Sequence, residues 1–172
     1  GASESTDGTR KYLFRGLGSK YIETAYIPDK DRATICVSSQ SGCKMGCVFC
    51  MTGRQGFQGN LSSNEILNQF RSLPEYLSLT NMVYMGMGEP LDNINEVLKS
   101  LEIMTSSWGF GWSPSRITVS TVGILATIRE FLEKSRCHLA VSLHSPFDEE
   151  RRKLMPIQRT NSVTQLLDII RG

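Results

Sequence analysis

Four of the chain's five cysteines stand in one short run, CVSSQSGCKMGCVFC, from Cys36 to Cys50. The last three, Cys43, Cys47 and Cys50, follow a C-x3-C-x2-C pattern, while Cys36 stands seven residues ahead of them. Three thiolates on one compact loop can ligate three irons of a [4Fe–4S] cube and leave the fourth iron open to the amino and carboxylate groups of a ligand. Zinc is the competing reading, but a structural zinc takes four tetrahedral ligands, usually as two spaced pairs. No second pair exists, and His138 and His144 are remote in sequence. Cys36 reads either as a small buried hydrophobe or as a reactive thiol at a strand terminus. Cys137 reads as packing.

These residues need a scaffold, and the hydrophobic pattern supplies one. Apolar, β-branched runs at 33–38, 81–87, 116–122 and 138–144 predict buried strands, and helix-like stretches at 62–73, 94–104, 125–134 and 162–171 follow them in turn. Ser62 or Ser63 ahead of Glu65 marks one helix start, and Asn161-Ser162 marks another. Such alternation implies parallel strands joined by crossovers, an α/β fold forming a partial (β/α) barrel of about four units. Segments 11–18 and 20–28 predict a β-hairpin ahead of the first barrel strand. Residues 1–10 read as a leader or cloning remnant outside the fold. A complete eight-unit barrel needs about 250 residues, so residues 11–172 are expected to form its N-terminal half.

The 40% hydrophobic and 21% charged content suits an ordinary globular protein. A net charge of +2 is too small to indicate nucleic-acid binding by itself. Arg151, Arg152 and Lys153 form a local basic cluster, expected to be a solvated helix start. No apolar run is long enough to span a membrane, and no signal-peptide core opens the chain, so a cytoplasmic location is expected.

Several polar residues fall where the predicted strands end. Gly88 and Glu89 follow the second strand, Ser120 lies near the end of the third, and Ser142, Leu143 and His144 close the fourth. This is the face on which barrel enzymes place their active sites. Glu89 offers a carboxylate to an ammonium group, Gly86 and Gly88 permit close backbone approach, and Ser120 and Ser142 can hydrogen-bond a ribose or a carboxylate. Singly, each also fits a turn, a cap or a satisfied core histidine. Their convergence favours a ligand site.

The triplet Cys43, Cys47, Cys50 resembles that of the radical S-adenosylmethionine (SAM) enzymes. ETAYIPDKDRATICVSSQSGCKMGCVFCMTGRQGF, MGMGEPLDN, ITVSTVGI and LAVSLHSPFDEERRKLMPI further resemble the dual-specificity RNA adenine-C2 methyltransferases of the RlmN family. The resemblance implies a radical SAM barrel, a [4Fe–4S] cluster on the three cysteines, SAM as cofactor, an external electron donor, and rRNA and tRNA as partners of the full-length enzyme. In that family one cysteine is first methylated. A second SAM then yields the radical that activates the methyl group, and the carbon radical adds to the adenine. The resemblance places Cys36 as the thiol that resolves the resulting adduct through a disulfide with the methyl-carrying cysteine, and Glu23 as a proton acceptor.

The family also has an N-terminal helical accessory domain and a methyl-carrying cysteine in its C-terminal part, whereas no cysteine follows Cys137 here. The expectation is therefore a truncated chain, inactive on RNA alone and prone to self-association through its open half-barrel. Alternatives are a non-catalytic iron–sulfur or SAM-binding fragment, a C8-methylating enzyme of the related Cfr type, and a zinc-binding structural domain.

Overall fold

A computed structural model describes every residue except Leu17 and Ser19, so the turn expected between segments 11–18 and 20–28 falls in part outside the described residues. Nine strands are present among the described residues: β1 (Ala2–Glu4), β2 (Arg10–Arg15), β3 (Tyr21–Asp29), β4 (Arg32–Cys36), β5 (Gln40–Ser41), β6 (Gly59–Asn60), β7 (Asn81–Tyr84), β8 (Ile117–Thr121) and β9 (His138–Val141). Six α-helices accompany them among the described residues: α1 (Met51–Arg54), α2 (Ser63–Arg71), α3 (Ile94–Thr105), α4 (Leu125–Lys134), α5 (Asp148–Leu154) and α6 (Val163–Arg171). Seven strands form one open sheet in the order β1-β2-β3-β4-β7-β8-β9. It is antiparallel from β1 to β4 and parallel from β4 to β9. This is the expected partial barrel preceded by a hairpin. Ala2–Glu4 add an exposed edge strand, so part of the expected leader pairs with the sheet through Ala2 opposite Tyr12.

Alternation along the strands decides which face is buried. Ala33 and Ile35 of β4, Met82 and Tyr84 of β7, and Ile117 and Val119 of β8 point into the main core. They meet Ile66 and Phe70 of α2, Val97 and Leu101 of α3, and Ile128 and Phe131 of α4, the apolar stripes of amphipathic helices. Successive helices α2, α3, α4 and α6 pack on one another along that face. Cys36, Val83 and Ser120, one residue out of phase, occupy the other face, which is only partly covered.

Helix starts are encoded locally. Ser62 and Glu65 form a reciprocal capping box on α2, and Ser162 with Gln165 forms the same motif on α6. The basic run behaves differently from its expectation. Arg151 in α5 is fully buried, while Arg152 and Lys153 are exposed. Successive helical residues point about 100° apart, so one member of the run faces inward while its neighbours face water.

Beyond β4 the chain stays buried but leaves the ladder. Gln69 of α2 closes this gap: its Oε1 accepts from the Ser38 N–H (2.8 Å) and the Thr24 hydroxyl (2.7 Å), and its Nε2 donates to the Ser38 carbonyl (2.8 Å). Gln69→Leu strands these buried groups. Urea unfolding should show a loss of about 3 kcal/mol, and a variant within 0.5 kcal/mol of the parent, about the scatter of a surface substitution, would contradict this assignment.

Candidate active site

The short β5–β6 ladder pairs Gln40 with Asn60 and Ser41 with Gly59, and so closes the loop that carries the three clustered cysteines. Its base depends on Gln40, fully buried, whose Nε2 donates to Asn60 Oδ1 (2.8 Å) and Asp92 Oδ2 (2.7 Å) while its Oε1 accepts from the Glu89 N–H (2.9 Å). Asp92 also holds Lys44, between the first two cysteines, at 2.8 Å. On the far side the Val48 N–H donates to the Leu154 carbonyl at the end of α5 (3.0 Å). The loop is pinned from two directions.

Cys43, Cys47 and Cys50 line one cavity of about 340 Å³. Its remaining walls come from strand ends: Gly86, Gly88 and Glu89 after β7, Ser120 and Val122 at the end of β8, Ser142 and His144 after β9. The expected convergence is therefore present in space. Leu143 is not in the lining; its carbonyl accepts from Arg151 Nε (3.2 Å). The Ser120 and Ser142 hydroxyls face each other across β8 and β9 at 3.4 Å. His144, remote from the cysteines in sequence, is brought to their cavity with a left-handed backbone (φ 58°) and its ring 4.4 Å from that of Phe49. Strained backbone of this kind is commonly found at ligand sites.

Glu89 does not offer a free carboxylate. It is 3% exposed, and it accepts from the Thr121 hydroxyl (2.6 Å), the Val122 N–H (2.9 Å) and the Leu91 N–H (3.1 Å). Burial raises its pKa against the pull of these three donors. Its side chain braces the cavity wall, and the neighbouring backbone at Gly88 faces the interior.

Two further expected residues lie outside this cavity. Cys36 ends β4 opposite Ala25 and Val83, on the sheet face away from the main core, and burial pushes its thiol up. Glu23 lines a second cavity of about 450 Å³ with Leu13, Tyr21, Gln55, Gln58 and Met87, and pairs with Lys11 at 2.9 Å. Cys137 sits against α3 and α4 in a separate hollow with Lys134 and Pro114, consistent with packing. The sequence reading missed Met155 and Phe49 as wall residues. Their only signal was apolar character beside chemistry-bearing neighbours.

The donor set discriminates between metals. Among the described residues, no group of three His, Cys, Asp or Glu side chains converges to hold a single metal ion, whereas zinc needs four ligands at about 2.0–2.3 Å from one centre. Three thiols on one loop that share one cavity match the three-thiolate ligation of a [4Fe–4S] cluster. Burial pushes the Cys43 thiol up and the Cys47 thiol up to about 11, and negative charge at the neighbouring cysteines adds to both shifts. A bound iron centre would draw off the Cys43 and Cys47 protons, since metal ligation requires the thiolate.

Residues 37–172 match the model of the radical SAM superfamily. The chain belongs to the radical SAM superfamily. Radical SAM proteins use a [4Fe–4S] cluster together with SAM, in agreement with the thiol set. The chain is 60% identical over 166 residues to a probable dual-specificity RNA methyltransferase RlmN of Phocaeicola vulgatus and 62% identical over 168 residues to one of Porphyromonas gingivalis. Those matches cover 96% and 98% of this chain but 48% and 49% of the relatives. A solved radical SAM methyltransferase from Sphaerobacter thermophilus superposes with a TM-score of 0.93 at 36% identity, covering 98% of this chain and 52% of that one. The chain thus spans about half the length of the curated relatives it matches.

The radical SAM cavity depends on close packing at Gly88, which has φ 93° and where a Cβ would lie 2.4 Å from Gln40 Cβ and 2.8 Å from its backbone nitrogen. Gly88→Ala should cost about 2–4 kcal/mol through strain and overpacking. Gly111→Ala is the matched control: φ is 66° but nothing lies within 4 Å, so only about 1 kcal/mol is expected. Thermal unfolding of the two variants checks the difference.

Proposed function

We propose that this chain carries the cofactor-handling core of an RNA methyltransferase that modifies C2 of adenosine in rRNA and tRNA. One observation supports this most directly: Cys43, Cys47 and Cys50 share a cavity with the ends of β7, β8 and β9. In this reading the three thiols hold a [4Fe–4S] cluster, and Gly88, Ser120, Ser142 and His144 form the SAM site, with Glu89 bracing its wall and Leu143 joining Ser142 to His144. When bound, the pair supplies a methyl group and single-electron chemistry driven by an external donor.

The chain's own residues do the positioning. The Ser120 and Ser142 hydroxyls can donate to or accept from a ribose or carboxylate, and Gly88 lets the cavity wall pack directly against Gln40. Met155, fully buried, and Phe49 supply apolar wall that limits water. Glu23 is proposed to accept a proton at its carboxylate. Its cavity combines Tyr21 and Leu13 with the amides of Gln55 and Gln58, walls and polar groups suited to an unstacked purine base. Cys36 is proposed as the resolving thiol, kept protonated by burial until a base or partner draws on it.

Among the described residues, no helix is long and apolar enough to cross a membrane, and a cytoplasmic location is part of the proposal. So is self-association of this chain through its open sheet face, where Tyr21 and Met85 are half exposed. A stable monomer in sedimentation at micromolar concentration would argue against that part.

Anaerobic reconstitution with iron and sulfide should give a brown chain with a [4Fe–4S] spectrum that cleaves SAM reductively to 5′-deoxyadenosine. Cys43→Ala should lose both properties. A cluster without SAM cleavage would support a binding fragment, and equal cleavage by Cys43→Ala would overturn the ligand assignment.

A further inference from the structure

Arg151 is fully buried, yet among the described residues no carboxylate lies within ion-pair distance of it. Its guanidinium bonds instead to main-chain carbonyls: Nε to Leu143 (3.2 Å), and Nη2 to Ser142 (3.3 Å) and to Val122. Nη1 bonds to Gln158 Oε1, and Gln158 Nε2 passes the contact on to Asp148 Oδ1. Leaving a cation inside a protein with only neutral partners is costly, and an apolar side chain could fill the same volume. What an apolar side chain cannot supply is a planar fork of donors reaching two strands together.

Those carbonyls are not scattered. Val122 follows β8; Ser142 and Leu143 follow β9. Val122 and Ser142 line the cysteine cavity, as does Met155 just past the end of Arg151's own helix. The same helix end accepts the Val48 N–H between Cys47 and Cys50. One side chain therefore joins the two strand ends that carry Ser120 and Ser142 to the segment that fastens the cysteine loop. Its charge lies close enough to Cys47 and Asp148 for both to favour it, opposing burial.

We propose that Arg151 is the positioning residue of the cofactor cavity: by holding the carbonyls of Val122, Ser142 and Leu143 on one guanidinium, it sets the spacing of the β8 and β9 ends and hence the placement of the Ser120 and Ser142 hydroxyls around SAM. This rests on the reading of the cavity as a SAM site.

The test uses the cluster-loaded chain and three variants. Arg151→Met keeps the bulk without donors, Arg151→Lys keeps the charge without the fork, and Gln158→Leu leaves the arginine but removes its distal support. SAM affinity is measured by equilibrium dialysis, alongside the change in the reduced cluster's EPR spectrum on adding SAM, iron content and melting temperature. All variants should load iron like the parent. SAM affinity should fall about 10–100-fold in Arg151→Met, the range seen when outer-shell partners are lost, with a smaller or altered EPR response. Arg151→Lys should recover part of the loss, and Gln158→Leu should show a smaller shift in the same direction.

Arg151→Met with the parent's SAM affinity and EPR response, whatever its melting temperature, would reduce Arg151 to a packing role and overturn the proposal. If Arg151→Met does not fold, parent-like affinity in both Arg151→Lys and Gln158→Leu overturns it equally. A parent chain that loads iron but binds no SAM would overturn the reading of the cavity itself and this proposal with it.

Discussion

Where β4, β7, β8 and β9 end, the backbone leaves the hydrogen-bond ladder with part of it still buried or half-buried, and each buried N–H and C=O there needs a partner. Long polar side chains from elsewhere in the chain meet that need. Gln69 serves Ser38 on both its N–H and its C=O, and Asn93 Nδ2 donates to the carbonyls of Ser39 (2.9 Å) and Leu61 (2.8 Å). Gln40 takes the Glu89 N–H, Glu89 takes the Val122 N–H, and Arg151 takes the carbonyls of Val122, Ser142 and Leu143. Among the described residues, Ser39 Oγ alone is a buried side-chain polar atom without a partner. The cavity rim is thus held by side chains that take its backbone groups, where a sheet ladder no longer does.

Two of these groups carry charge, and they meet at one residue. Val122 gives its N–H to the Glu89 carboxylate and its C=O to the Arg151 guanidinium. A buried carboxylate and a buried guanidinium would each be expensive in isolation, but here they polarise opposite ends of the same stretch of backbone. Such bonds strengthen one another in a low-dielectric interior. Neither group is available to a ligand at full strength, which leaves backbone, hydroxyls and thiols as the faces presented to the cavity.

Much of this could be read from residue order. The four strand-to-helix units, the hairpin and the capping residues Ser62 and Ser162 are local signals, and they emerged close to the expected places. The cysteine loop and the strand-end residues Gly88, Ser120, Ser142 and His144 were legible because a (β/α) series puts every strand's C-terminal end on one face. What could not be read was the use of each side chain. Glu89 looks like an ammonium acceptor until Thr121 and Val122, over thirty positions away, are seen to take its oxygens. Arg151 looks solvated beside Arg152 and Lys153 until the carbonyls of Val122, Ser142 and Leu143 are seen to take its guanidinium. Short-range pattern locates elements; the fate of a buried charge is decided by partners that no local window contains.

The segment after β7 shows how one stretch of chain can serve two cavities. In MGMG, residues 85–88, both glycines and Met85 border the cysteine cavity, whereas Met87 turns to the cavity that holds Glu23. The Met87 backbone is fixed by Ser38: its N–H donates to the Ser38 hydroxyl at 2.8 Å, and that hydroxyl donates to the Glu23 carbonyl at 2.5 Å. The Glu23 N–H in turn points at the Met87 sulfur at 3.4 Å. The chain bends over residues 86–88 and turns Met87 away from its neighbours, so glycine falls where backbone must approach closely and methionine where volume must be filled by a pliable side chain. Residues 85–88 are therefore a wall common to both cavities, tied to β3 through the Ser38 hydroxyl, so that a change at Ser38 or Met87 reaches the cysteine side and the Glu23 side together.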